Sequence, residues 1–472
     1  MDRVVIVGAG PVGTAAAILL AQRGVPCLLL DRYPAPYPLP RAVHVDDEVM
    51  RILQELGVVD EFRSVSRPGL GLRLLDGRHE LMAEFRRGTT AGPHGYAEAN
   101  MFDQPDLERL LRRRVSELDL IEFAGGAEVI GVTSEQVRYR CGEDPTEHAV
   151  AASAVLGCDG ANSTVRGLIG ATLEDLRFEE RWLVVDGVCD ADLDAWGGVH
   201  QVCDPRRAAS FMQLGPLRYR WEFRLHPHES TVDPLPLLAP WLGPVGVRLV
   251  RQAEYTFRAR IADRWRAGRV FLLGDAAHQT PPFIGQGLGA GLRDAYNLAW
   301  KLAAVLRSGA DPALLDSYEL ERRPHARAQI RLAIVAGWAM TGGQDRAAAV
   351  RRVVLGAIWR LPGLKGLALR STSPPLRTAG RGRWAFLGRG RRAGTLAPQP
   401  PVVWQGREIR LDEALGNGWT ILHLGPTPPA AAAGAGRPVQ VTPDFDPTGA
   451  LRRWMRGRAV VLRPDRVVHA TY

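Results

Sequence analysis

The chain has 472 residues, of which 46% are hydrophobic and 24% charged, an ordinary composition for a globular protein of two to four domains. Its net charge of +9 comes almost entirely from arginine, since Lys301 and Lys365 are the only lysines. No basic cluster with interleaved aromatics points to nucleic acid, so a solvated surface that also attracts anionic ligands is the simplest reading. Five cysteines (Cys27, Cys141, Cys158, Cys189, Cys203) without a Cys-x-x-Cys pair indicate neither a disulfide framework nor a zinc site. No charge-free apolar run spans a bilayer and the N-terminus lacks a signal-peptide pattern, so a cytoplasmic protein that binds no membrane is expected.

Val4 to Val7 is a short β-branched run ending at glycines, as a buried parallel strand should. Gly8-Ala9-Gly10-Pro11-Val12-Gly13 then matches GxGxxG, and Thr14 to Arg23 reads as a helix closed by Gly24. In that pattern the first glycine makes a tight turn, the second admits a pyrophosphate, and the third packs the helix on the strand. A second strand, Cys27 to Leu30, ends at Asp31, 18 residues after Gly13, the usual reach to a ribose hydroxyl pair; Arg32 follows it. The pattern specifies a dinucleotide without separating FAD from NAD.

Two later strands, Val155 to Cys158 and Val270 to Leu273, are each followed by glycine and aspartate. The first leads into Cys158-Asp159-Gly160 and on to Ser163 and Arg166. The second leads into Gly274-Asp275-Ala276-Ala277-His278, then Pro281-Pro282 and Gly285-Gln286-Gly287. An aspartate at such a strand end suits ribityl hydroxyls, and glycines at the following helix start let backbone amides lie against a flavin edge. Between them, about Phe178 to Phe257, alternating aromatic-rich segments read as an inserted, mostly antiparallel sheet. Gly287 to Leu306 has helical spacing. The span 371–401 is rich in arginine, glycine and proline, as a linker is, and Ala430 to Gly436 is a low-complexity loop.

On these motifs the sequence resembles the group A flavoprotein aromatic hydroxylases, with the p-hydroxybenzoate hydroxylase-like fold, and most of all their 3-(3-hydroxyphenyl)propionate hydroxylase branch. The resemblance also covers Pro40-Arg41-Ala42, Asp46-Asp47-Glu48, Asn100 to Pro105, Trp182 to Asp186, Asn297 to Leu302 and Arg463-Pro464-Asp465-Arg466. It implies an α/β fold. A Rossmann-like FAD-binding domain occupies 1–177 and 258–345, and a substrate-binding sheet occupies 178–257 with part of 68–100. A helical connection covers 346–394, and a thioredoxin-like domain without cysteines covers 395–472. Truncation near Thr395 is expected to reduce solubility or oligomer formation while leaving flavin binding intact.

The resemblance further implies that Arg41, Gln104, Val129, Asp159 and Asp275 serve FAD. Pro282 would line the flavin face, and the amides of Leu288 and Gly289 would face its pyrimidine oxygen. Many relatives have asparagine where Gly289 stands, a change that a backbone contact survives. The implied reaction uses non-covalent FAD, NADH or NADPH as transient reductant, O2 and a flavin hydroperoxide to hydroxylate a small phenolic substrate; a homodimer is the candidate assembly. The same reagent serves N-hydroxylation, epoxidation or Baeyer–Villiger insertion on a natural product, and a non-catalytic flavin-binding protein also stays open. His44, Tyr219 and Arg220 are weaker candidates for substrate contact. A polar neighbour role for His44 and an ion pair for Arg220 are the plainer readings. His278 more simply orients backbone, and Trp182, Trp221 and Trp300 pack.

Overall fold

The computed structural model describes residues 3–36, 42–142, 146–204, 206–229, 232–341, 374–376, 392–432 and 434–472. Most of the expected helical connection, 346–373 and 377–391, lies outside the described residues, as does Arg41.

Six strands build the nucleotide-binding sheet, in the order Arg266–Ala267, Val270–Leu272, Ala154–Gly157, Val4–Val7, Cys27–Asp31 and Ile121–Gly125. All but the first pair run parallel, with Val4 opposite both Ala154 and Cys27. The central strands are buried along their whole length, as strands covered on both faces must be. Their carboxyl ends carry the fingerprint, the Asp159 turn and the Gly274 turn side by side. The first helix runs Pro11–Ala21, starting earlier than its alanine run suggests, because Pro11 presets the φ of a first helical turn. It is capped at Gln22, and Gly24 (φ +74°) makes the turn that follows.

The inserted sheet is larger than its aromatic stretch suggests. Its two longest strands, Leu173–Cys189 and Val247–Ala262, run past both expected limits, and Gly71–Leu75 and Leu81–Arg86 extend its far edge. Alternation along each strand divides it into two faces. Leu183, Val185, Phe211, Tyr219, Trp221 and Phe223 form an outer core with the helix Pro234–Leu242. On the other face Met212 and Leu214 join Met101, Val43 and Val199. Met101 belongs to a small three-stranded sheet of His44–Asp46, Ala99–Phe102 and Ser66–Pro68.

The C-terminal sheet has the order Arg437–Gln440, Thr420–His423, Val460–Leu462 and Val468–Thr471, one parallel pair followed by two antiparallel ones. This module is tied to the helices of the six-stranded sheet's domain by buried charge. Arg463 donates from Nη1 and Nη2 to Glu321 of the helix Asp316–Thr341 (2.9 and 3.0 Å), and Lys301 of the helix Gly287–Ser308 donates to the same carboxylate (2.9 Å). Tyr296 donates to the Pro464 carbonyl (3.1 Å), and Arg51 makes a two-pronged pair with Asp412 (2.9 and 2.8 Å).

Burial pushes the Glu321 carboxyl up, but Arg463 and Lys301 outweigh it and hold it down to about 2. A carboxyl depressed on folding contributes stability above its unfolded range, near 4.5, that is lost as pH falls towards 2. A urea midpoint that drops over this range in the wild type, and drops less in Glu321→Gln, is the expected result. Parallel slopes for the two proteins would assign the acid lability to other groups.

Candidate functional site

At the fingerprint, Gly8 (φ +99°) cannot be replaced: a Cβ there would come 2.9 Å from Asp159 Cα and closer still to the Cys158 carbonyl. A Cβ on Gly13 would strike the Gly8 carbonyl, so this glycine lets the helix sit on the strand. Gly10 differs, since nothing lies within 4 Å of the position its Cβ would take. It is also the helix N-cap and offers no side-chain cap, which leaves first-turn amides for a ligand in open space. Val12 packs between Gly274 and Gly291, locking the fingerprint to the Gly274 turn.

Asp31 accepts from the Ala9 amide (2.6 Å) and the Tyr33 amide (2.8 Å), so its carboxylate braces the fingerprint as well as standing at the strand end. Arg32 is exposed and lies over the Tyr33 ring. Gln104 accepts from the Ala42 amide (2.7 Å) and donates to Glu108 (2.6 Å), placing it beside the segment that follows Arg41. Val129 is buried in the strand Ala127–Val132, opposite Tyr139.

Asp159 accepts from Ser163 Oγ (2.5 Å) and the Val165 amide (3.0 Å), holding the turn that leads into the short helix Thr164–Leu168. Gly160 (φ +79°) borders open space. Arg166 then staples this motif to the next by donating to the carbonyls of Ala161 (2.9 Å) and Ala276 (3.0 Å).

The Gly274 turn is organised by a residue at the far end of its motif, to which the sequence reading gave no role. Asp294 is fully buried and accepts from the Gly274 amide (3.1 Å), His278 Nε2 (2.8 Å) and Arg322 Nε (2.8 Å). Burial opposes its charge, yet His278 and Arg322 hold its carboxyl below the usual range. His278, at 0% exposure and stacked on Trp265, is a brace for backbone. Asp275 stands half-buried next to Gly274. Pro282 opens a single turn, Pro282–Ile284, which Gly285 (φ +61°) ends before the helix Gly287–Ser308. That helix also begins without a side-chain cap, and Gly287 borders open space. Leu288 is half-buried. At Gly289 the room a side chain would use is taken: a Cβ would come 2.7 Å from Arg293 Nη1. Arg293 is fixed by Asp46 (2.5 Å) and Glu48 (2.7 Å), and Gln286 donates to the same Asp46 (3.0 Å).

His44 lies next to this network, its ring against Gly285, with a buried Nδ1 that has no partner. Burial and the charge of Arg87 push it down to about 4. Tyr219 and Arg220 are not brought to His44. Tyr219 faces the outer core, where its hydroxyl donates to Asp192 (2.9 Å). Arg220 takes the opposite face but is bound on two prongs to Asp186 (2.6 and 2.9 Å), with Arg251 on the same carboxylate (3.2 Å). Trp182, Trp221 and Trp300 are all buried. Asp294 and Arg293 were within reach of sequence reasoning, as adjacent charged residues about two turns into a largely buried helix that also carries Asn297 and Lys301; Arg87 carried no such signal.

Two uncapped helix starts, three side-chain-free glycine positions bordering open space, and strand-end carboxylates together suit FAD: backbone amides for phosphates and ring oxygens, carboxylates for hydroxyls. The comparisons agree. The family described as FAD binding domain matches residues 1–233 and 243–333. A protein named probable NADH-specific resorcinol 4-hydroxylase, from Rhodococcus jostii (strain RHA1), is 34% identical over 499 residues, covering 98% of this chain and 90% of its own. A 3-(3-hydroxy-phenyl)propionate/3-hydroxycinnamic acid hydroxylase of Burkholderia vietnamiensis is 36% identical over 434 residues, covering 89% and 78%. The crystal structure of aklavinone-11 hydroxylase with FAD and aklavinone superposes with a TM-score of 0.82 at 26% identity, covering 100% of this chain and 95% of that one.

Proposed function

The chain belongs to the FAD binding domain family and is a flavin-dependent monooxygenase, and from that premise we propose that it hydroxylates a phenolic ring with NADH as reductant. The observation that carries this reading is the uncapped start of the helix Gly287–Ser308 beside the Gly274 turn, with His44 set against Gly285 and paired across strands with Met101 of the buried Met101, Met212 and Leu214 cluster. When bound, FAD takes hydride from the nicotinamide and activates O2 for transfer of one oxygen atom to the ring.

The chain's own residues do the rest. Amides of the first helix turn after Gly10 hold the pyrophosphate, while Asp31, Gln104 and Val129 serve the adenosine half. Asp275 takes the ribityl hydroxyls, and Asp159 keeps its turn in shape. Arg41, outside the described residues, joins this set on sequence grounds. The amides of Leu288 and Gly289, at an uncapped helix start, would serve the flavin ring oxygen where negative charge collects, a task for donors that need no reorganisation. Asp46 and Arg293 hold that helix start rigid, and the methionine-lined wall keeps water from the reacting ring. A nicotinamide-dependent enzyme works where NADH is held, which supports a cytoplasmic setting. Among the described residues no helix is long and apolar enough to cross a membrane.

Stopped-flow reduction of the holoenzyme by NADH, with and without resorcinol or 3-(3-hydroxyphenyl)propionate, tests this reading alongside product mass. At least one phenol is expected to raise the reduction rate and gain one oxygen atom. If none does either, phenol hydroxylation is the wrong activity for this chain.

A further inference from the structure

Arg87 lacks what the charged residues around it have. It follows the strand Leu81–Arg86, with its backbone amide donating to the Leu70 carbonyl (3.0 Å). Its guanidinium has no hydrogen bond or ion pair among the described residues, and its Nη1 is shut off from solvent. The acids in its field are engaged elsewhere. Asp46 is taken by Arg293, Gln286 and the Val49 amide, Asp47 by His94 (3.0 Å), and Glu98 by the Gly88 amide (3.4 Å). Its neighbour His44 lies against the Gly285 backbone, its one polar contact there, and its buried Nδ1 makes no well-formed hydrogen bond. His44 pairs across strands with Met101, so both side chains share one face, and Met101 packs on Met212 and Leu214 of the large sheet. Two buried nitrogens without a well-formed hydrogen bond, Arg87 Nη1 and His44 Nδ1, therefore lie where the large sheet meets the glycine turn at 285.

Arg87 is half-buried, but a guanidinium nitrogen closed off from water without a hydrogen-bond acceptor is costly unless a ligand supplies one. Resting on the monooxygenase reading, we propose that Arg87 and His44 form an oxyanion subsite of the substrate pocket. Arg87 is the counter-charge for a carboxylate or phenolate oxygen of the aromatic substrate, and His44 is its neutral hydrogen-bond partner. The planar guanidinium fork suits either oxyanion, and a carboxylate best. The depressed pKa of His44 keeps the ring uncharged at neutral pH, so the subsite carries one positive charge.

Titration of the holoenzyme's visible flavin spectrum tests the proposal with three probes: 3-phenylpropionate (carboxylate only), 4-nitrophenol above its pKa (phenolate only) and resorcinol (neutral). Arg87→Met is expected to weaken at least one anionic probe by roughly 10- to 100-fold, the loss of a charged hydrogen bond. Resorcinol and FAD affinities should stay within about threefold, since neither loses that bond, and Arg87→Lys should keep part of the anion affinity. Which anion weakens identifies the oxygen recognised. Equal weakening of all three probes, unchanged affinities, or loss of FAD alone would overturn the assignment. Should Arg87→Met not fold, azide added to the wild type is expected to compete with an anionic probe and not with resorcinol; competition with neither or with both refutes the subsite. Failure of the hydroxylase reading would show separately, as a wild type in which no phenol speeds flavin reduction.

Discussion

Removal of residues 395–472 is expected to abolish the soluble holoprotein and not to trim it. The low-complexity and proline-rich approach to this module, with no nucleotide motif beyond it, suggests a separable tail, but the structure argues otherwise. Arg463 and Glu321 are each about 1% exposed, and truncation leaves Glu321 facing Lys301 with half its counter-charge gone. Breaking a buried pair by removing one partner costs roughly 3–5 kcal/mol. Trp300, edge-on to Trp419 at 5.7 Å, and Tyr296, bound to Pro464, would be uncovered as well, and Arg51 would lose Asp412. Total stability for a folded chain is only about 5–15 kcal/mol, so these losses together take most of it. Expression of residues 1–394 should therefore give aggregated or flavin-free chain, and Arg463→Met in the full chain should show a lowered urea midpoint. A yellow, soluble 1–394 fragment with wild-type FAD affinity would restore the separable reading.

The contrast shows what could be read from the sequence. Gly8, Gly10 and Gly13 act within one turn, so their spacing is local information, and the structure puts a near-contact at two of them and open space at the third. The Asp159 and Gly274 motifs were legible for the same reason. Arg463 and Glu321 lie 142 residues apart, and no local pattern names a partner at that distance. The same limit hid Arg87, which only the meeting of the small and large sheets brings near His44. Tyr219 and Arg220 illustrate a different limit. Both were read as candidates for substrate contact, although neighbours on a strand point to opposite faces, and which face the helix Pro234–Leu242 covers depends on packing beyond the strand. At Gly289 the room a side chain would take is filled by the Arg293 guanidinium.

Asp294→Ala is expected to be the most damaging single substitution at the cofactor site, although its side chain is directed to protein groups. One carboxylate there satisfies the Gly274 amide, His278 and Arg322, all of them buried. Alanine leaves the Arg322 guanidinium with a histidine, His325, and the Ala290 carbonyl as its remaining partners, and no counter-charge on Asp294's side. Such an uncompensated buried cation costs roughly 3–5 kcal/mol, and the freed Gly274 amide adds about 1–3. The damage is also directional. Gly274 sits at φ +60°, wedged against Val12 of the fingerprint, so a loosened turn disturbs both phosphate-facing and ribityl-facing elements together. Asp294→Asn keeps the shape and one acceptor oxygen but gives up the charge, so it should fall between alanine and wild type. The measurement is a thermal melt followed by flavin release and by far-UV circular dichroism. For alanine, flavin release should move down by on the order of 10 °C and FAD affinity should fall by at least tenfold, with asparagine intermediate. An alanine variant that keeps wild-type melting and FAD affinity would mean the turn is held by its own backbone, leaving Asp294 a bystander to the Gly274 site.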